Sequence, residues 1–96
     1  MVRILIIEDE PDLAGLIDYN LRAAGFQTDV AGTGAGGLAL ARSGRPDLVL
    51  LDLMLPDLSG GEVLRLLKAD PELRASASPP APVPAVSVWK PAARRL

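Results

Sequence analysis

Apolar residues follow two rhythms along the first three quarters of this chain. Ile4-Leu5-Ile6-Ile7 and Leu48-Val49-Leu50-Leu51 are short unbroken runs, the pattern of strands buried on both faces. Elsewhere the apolar positions recur at helical spacing. Residues 2–7 are predicted as a strand. Pro11 then stands where a first helical turn tolerates it, Leu13, Leu16, Ile17, Leu21 and Ala24 form a stripe, and Gly25 is the stop. Phe26 to Ala31 reads as a second strand. Thr33 can cap a second helix running to about Ser43, which Gly44 ends, and Pro46 feeds the strand that closes on Asp52. Glycines 32, 34, 36 and 37 weaken the start of that helix. Ser59 and Glu62 have the spacing of a capping box for a third helix, with Val63, Leu66 and Leu67 as its buried stripe.

The alternation of strand and helix predicts an α/β fold with a doubly wound parallel sheet, whose ligand site lies at the carboxyl ends of the strands where the winding switches direction. The first and third strands flank that point. The first closes on Glu8-Asp9 and the third on Asp52. Strands paired side by side bring their ends to roughly 5 Å. An acidic triplet such as Glu8-Asp9-Glu10 is by itself an ordinary solvated turn, but a third carboxylate at the matching strand end changes that reading. Three carboxylates at one spot repel each other, and a bound divalent cation reverses the repulsion. The chain has no His and no Cys, so an oxygen-only site completed by water suits magnesium better than zinc. The glycines after the second strand contain neither GxGxxG nor a P-loop lysine, and read as a helix lead-in.

Length and charge narrow the function classes. The 96 residues allow one small domain. No apolar run is long enough to span a bilayer, and Met1-Val2-Arg3 does not begin a signal peptide, so a cytoplasmic protein without a membrane partner is expected. The net charge of −2 speaks against direct nucleic-acid binding. The charge is unevenly distributed. Residues 1–72 hold all 12 acidic and 6 of the 10 basic residues, whereas residues 73–96 carry four basic residues and no acid. All nine glycines lie at or before Gly61, and five of the nine prolines lie in the last quarter. Two compositions meet near residue 75.

Glu8-Asp9-Glu10 after Ile4-Leu5-Ile6-Ile7, the run Asp47-Leu48-Val49-Leu50-Leu51-Asp52-Leu53-Met54-Leu55-Pro56, and Ser59-Gly60 together resemble the receiver domain of bacterial two-component response regulators, from about Val2 to Arg74. The resemblance implies a flavodoxin-like strand order and a phosphoacceptor role for Asp52, which would take a phosphoryl group from a sensor histidine kinase. It also implies a Mg²⁺ ion held by Asp9 directly, by Glu8 through water, by Asp52, and by the backbone carbonyl of Met54, with Pro56 and Gly60 shaping the loop behind the acceptor. The module would signal and not act as an enzyme in its own right.

The pattern of the family stops early. A complete receiver continues with a fourth strand ending in Thr or Ser and a fifth ending in Lys-Pro, each followed by a helix. Residues 75–96 are instead rich in proline and alanine, with the makeup of a linker or disordered tail. The expected organisation is therefore a partial receiver at 1–74, about three βα units, followed by an irregular tail at 75–96. A frame change or truncation near Ala75 is the preferred explanation, ahead of a naturally shortened receiver. The third explanation makes Val83 to Trp89 a replacement strand, with Ser87 and Lys90 standing in for the hydroxyl and the lysine. It ranks last because the family keeps those groups on separate strands and because Pro84 fits only a strand start or edge. Two functional classes follow: a phosphoacceptor module, or a receiver remnant serving only as a protein-binding or dimerisation module. A magnesium-dependent phosphohydrolase is a distant third. An unpaired edge beside the third strand predicts self-association, with a homodimer as its simplest form.

Overall fold

The computed structural model describes residues 2–70 and the backbone of residues 85–89. The elements in order are β1 (Arg3–Ile7), α1 (Pro11–Ala23), β2 (Gln27–Ala31), α2 (Gly34–Gly44), β3 (Leu48–Asp52), α3 (Gly60–Ala69) and β4 (Ala85–Trp89). The sheet is parallel, in the order β2-β1-β3-β4. The chain therefore winds outward from β1 to β2, then crosses back to β3. This places the switch of winding between β1 and β3, as the α/β doubly wound reading expects.

Alternation along the strands sorts their side chains onto two faces. Leu5, Ile7, Val49 and Leu51 meet Ala41 of α2 and Val63 and Leu67 of α3 in the main core, while Ile4 and Ile6 are buried on the opposite face. The α3 stripe is thus led by Val63 and Leu67, with Leu66 half-buried. In α1 the fully buried residue is Ala14, and Leu16 is 59% exposed. A helix turns about 100° per residue, so two residues from Ala14 lie on nearly the opposite side. The expected stripe is correct at Leu13, Ile17 and Leu21, which are half-buried, and is corrected at Leu16 and Ala24, which are exposed.

Helix ends follow local chemistry. Thr33 caps α2, its hydroxyl accepting from Gly36 N at 3.0 Å. Gly25 takes φ +97° after α1, a conformation open to glycine. At the end of α2 the left-handed residue is Arg45 (φ 47°, ψ 64°), one position beyond the expected stop. Pro46 disfavours a right-handed helical conformation at the residue before it, and Gly44 lies where a Cβ would approach Asp29 Oδ2 at 3.3 Å. The capping box of α3 is half made. Ser59 Oγ accepts from Glu62 N at 3.1 Å, but the Glu62 carboxylate pairs with Arg65 one turn on, a charge-assisted bond, and so does not reach back.

Within the segment read from sequence as an irregular tail, residues 85–89 form β4 in register with β3 from Leu48↔Ala85 to Asp52↔Trp89. Pro84 immediately precedes the strand, and a strand's start is where a missing N–H costs no ladder bond. Val86, Val88 and Trp89 are residue types that favour a strand. The objection that hydroxyl and lysine belong on separate strands concerns chemistry and does not prevent backbone pairing. The edge beside β3 is therefore occupied, which removes the basis for expecting self-association there. Lys90 and the division at residue 74 lie outside the described residues. No helix among the described residues is long and apolar enough to cross a membrane.

Two glycines in helices should respond to alanine with opposite signs. At Gly15 a Cβ would meet nothing within 4 Å, so Gly15→Ala should stabilise the protein by about 1 kcal/mol through helix propensity. At Gly37 a Cβ would lie 2.4 Å from Cδ1 and 2.8 Å from Cγ1 of the fully buried Ile7. Overpacking costs roughly 1–3 kcal/mol and should outweigh the same propensity gain. Urea unfolding should show a higher midpoint for Gly15→Ala and a lower one for Gly37→Ala, with unchanged slopes.

Candidate metal and phosphoacceptor centre

Register brings the acidic residues together. Ile7 is opposite Leu51, so Glu8 and Asp52 are neighbours one step further along adjacent strands. Glu8 N donates to Ala31 O at 2.9 Å, which keeps the chain in strand geometry to that point. Each of Glu8, Asp9 and Asp52 offers a carboxylate oxygen, and these oxygens lie within 4.8 Å of one another. Asp52 is fully buried, Glu8 is 1% exposed, and Asp9 is the partly exposed member.

The expected triplet divides by role. Glu10 leaves the cluster and caps α1, its Oε1 accepting from Asp12 N at 3.1 Å. Glu10 N in turn donates to Glu8 Oε2 at 2.8 Å. The backbone turn that starts α1 thereby orients the Glu8 carboxylate. On the other strand, Met54 N donates to Asp52 Oδ1 at 2.9 Å, so the residue two positions on fixes the orientation of the Asp52 side chain.

The loop after β3 folds back tightly. Gly60 N donates to Leu53 O at 3.1 Å and Met54 bridges to Ser59. A Cβ on Gly60 would lie 2.6 Å from Leu53 Cα and 2.9 Å from Asp52 O. These are backbone atoms that cannot step aside, so the position requires glycine. Gly60 thus lies against the end of β3.

Sequence reasoning missed the other end of this loop. Asp57 reaches across to α2, accepting from Gly34 N at 2.8 Å and Ala35 N at 3.0 Å. The Ala35 bond first, and then the Gly34 bond, hold the Asp57 carboxyl below its ordinary value. Leu58 packs in the space left by the missing Gly34 side chain, where a Cβ would be 3.0 Å from Leu58 Cβ and from Val63 Cγ2. A partnership across 23 residues has no periodic signature. The available sign was a glycine-rich helix start whose N–H groups need acceptors.

The donor set tests the fit of a metal. Its oxygens come from carboxylates alone, two of the three carboxylates are buried, and the chain contains no His or Cys. That chemistry suits a hard cation such as Mg²⁺, which takes one or two carboxylates and keeps several waters.

Known proteins share the sequence pattern and the fold. The family model of the response regulator receiver domain matches residues 4–90. The DNA-binding response regulator MtrA of Mycolicibacterium smegmatis is 52% identical over 68 residues, covering 71% of this chain and 30% of MtrA. The DNA-binding dual master transcriptional regulator RpaA of Synechocystis is 46% identical over 70 residues, covering 73% of this chain and 29% of RpaA. The chain thus spans about 30% of the length of these relatives. Among solved structures, a response regulator receiver domain protein from Clostridium thermocellum superposes with a TM-score of 0.77 at 25% identity, over 94% of this chain and 65% of that one. The response regulator TrrA from Thermotoga maritima, solved in complex with Mg²⁺-BeF, gives 0.71 at 30% identity, over 92% and 66%. The match at residues 4–90 takes in all four strands except the first residue of β1 and includes every member of the acidic cluster, so this chain belongs to the response regulator receiver domain family.

Proposed function

We propose that this chain is the phosphoacceptor module of a two-component phosphorelay in the cytoplasm, with Asp52 as the acceptor and a sensor histidine kinase as the donor. The observation that carries the proposal is the convergence of Glu8, Asp9 and Asp52 at the switch point of the sheet, with Asp52 oriented by Met54 N–H. All of these residues fall within 1–74, the part read from sequence as the receiver. DNA binding is stated of the relatives by their names, and this chain matches only the portion that receives the signal.

In the transfer, a carboxylate oxygen of Asp52 attacks the phosphorus of a phosphohistidine. The new O–P bond forms as the P–N bond breaks, the electron pair returns to the imidazole nitrogen, and Asp52 becomes an acyl phosphate. The N–H of Met54 holds Asp52 Oδ1, so the nucleophile enters the reaction already oriented. Asp9, Glu8, Asp52 and the Met54 carbonyl would hold Mg²⁺. When bound, the ion supplies neutralisation of the charge carried by the transferred phosphoryl oxygens. The agreement of the donor chemistry with Mg²⁺ and the Mg²⁺-BeF bound by TrrA support that assignment.

Acetyl phosphate or a kinase with Mg²⁺, followed by mass spectrometry, should give a single phosphoryl adduct on the intact chain and none on Asp52→Asn. Asp9→Asn should slow labelling on the order of a hundredfold. An unlabelled wild-type chain that still binds a kinase would make it a docking remnant instead. The cluster also predicts a stability effect. Mg²⁺ should raise the melting temperature of the wild type and raise that of Asp9→Asn far less. Thermal unfolding with and without Mg²⁺ checks both.

A further inference from the structure

The loop between β3 and α3 carries Met54 near one end and is fastened at two places. At its base, Gly60 N bonds to Leu53 O and Met54 bridges to Ser59. At its tip, Asp57 spans the first two N–H groups of α2 and Leu58 fills the hollow over Gly34. Met54 itself is 44% exposed. The bond from its N–H to Asp52 Oδ1 couples the position of that peptide to the acceptor carboxylate.

We propose that Asp57 is a positioning residue for the metal centre: by clamping the loop tip to the start of α2, it sets where the Met54 peptide stands relative to Glu8, Asp9 and Asp52. The inference rests on the metal-site reading above. Its physical basis is that a backbone carbonyl has no side-chain torsion with which to search for an ion, so its placement is that of the loop. Asp57 supplies two charge-assisted bonds to backbone N–H groups at a helix N-terminus, where a carboxylate is favoured. A contact that orients a ligand without touching the metal typically changes affinity by 10- to 100-fold. Asp57 stands three residues along the chain from Met54, which places its effect at or below the lower end of that range, roughly three- to tenfold.

The test compares Asp57→Ala, Asp57→Asn and Thr33→Ala with wild type. Thr33→Ala removes the hydroxyl that caps α2 without touching the loop, and so serves as the control for a weakened helix start. Mg²⁺ titration is followed by backbone amide shifts at Asp9, Asp52 and Met54, and hydrogen exchange at the Met54 amide is measured without metal. Asp57→Ala should raise the half-saturating Mg²⁺ concentration roughly three- to tenfold and speed Met54 exchange. Asp57→Asn keeps an acceptor for one of the two N–H groups and should fall between it and wild type. Thr33→Ala should lower the melting temperature with half-saturation unchanged. An unchanged half-saturation in a folded Asp57→Ala or Asp57→Asn overturns the inference, as does an equal rise in Thr33→Ala. A wild-type chain that shows no Mg²⁺-dependent shifts overturns the metal-site reading itself.

Discussion

The pairing of β1 with β3 is the constraint on which the rest depends. In a parallel pair with Ile7 opposite Leu51, the next residue on each strand is an acid. A slip of one residue in either strand would turn its inward pair, Leu5 and Ile7 or Val49 and Leu51, away from α2 and α3. The apolar core therefore enforces the register, and the register places the carboxylates. Glu8 and Asp52 are buried at the mouth of the sheet because they continue strands held by the burial of Ile4 to Ile7 on β1 and of Val49 and Leu51 on β3. Like charge disfavours bringing carboxylates this close, and the hydrophobic packing that fixes the register contributes to holding them there. Fold and site are thus in tension at this edge, a common signature of a place where chemistry is done.

Much of this was legible in the sequence because its signals are local or repeat along the chain. The unbroken apolar runs identify β1 and β3, the Thr33 and Ser59 hydroxyls mark helix starts, and Gly25 marks a helix end. The convergence of Glu8, Asp9 and Asp52 needed only the added premise that the two strands pair. Leu16 was misplaced because it stands at one margin of the arc of about 140° traced by the five apolar residues, while the buried Ala14 lies beyond the other margin and marks the inward face. The role of Glu10 was hidden by its neighbours, since three consecutive acids look alike until the backbone turn assigns one of them to a cap.

Residues 85–89 show a different limit. Composition argued for a linker, since proline, alanine and serine dominate the stretch before them. A strand needs only five suitable residues and a partner edge, however, and β3 offers a row of backbone groups that require one. The demand came from the sheet and could not be read from the segment alone. Pro84 illustrates the point. As an interior residue it excludes a strand, yet as the residue just before Ala85 it is compatible with one, and only the bounds of β4 distinguish the two cases.

The glycine-rich start of α2 joins these threads. Glycine costs a helix about 1 kcal/mol relative to alanine, and α2 carries three glycines in its first four residues. Two of them answer to tertiary demands. Gly37 lets Ile7 lie against the helix, and Gly34 leaves room for Leu58. The same turn receives the Asp57 carboxylate on its N–H groups. A helix weak in its own right is thereby stabilised by the loop that follows β3, and that loop is steadied by the helix. The dependence runs in both directions, so any displacement of the β3–α3 loop is opposed by the packing and hydrogen bonding of α2, and the Met54 peptide inherits that resistance through a short stretch of backbone.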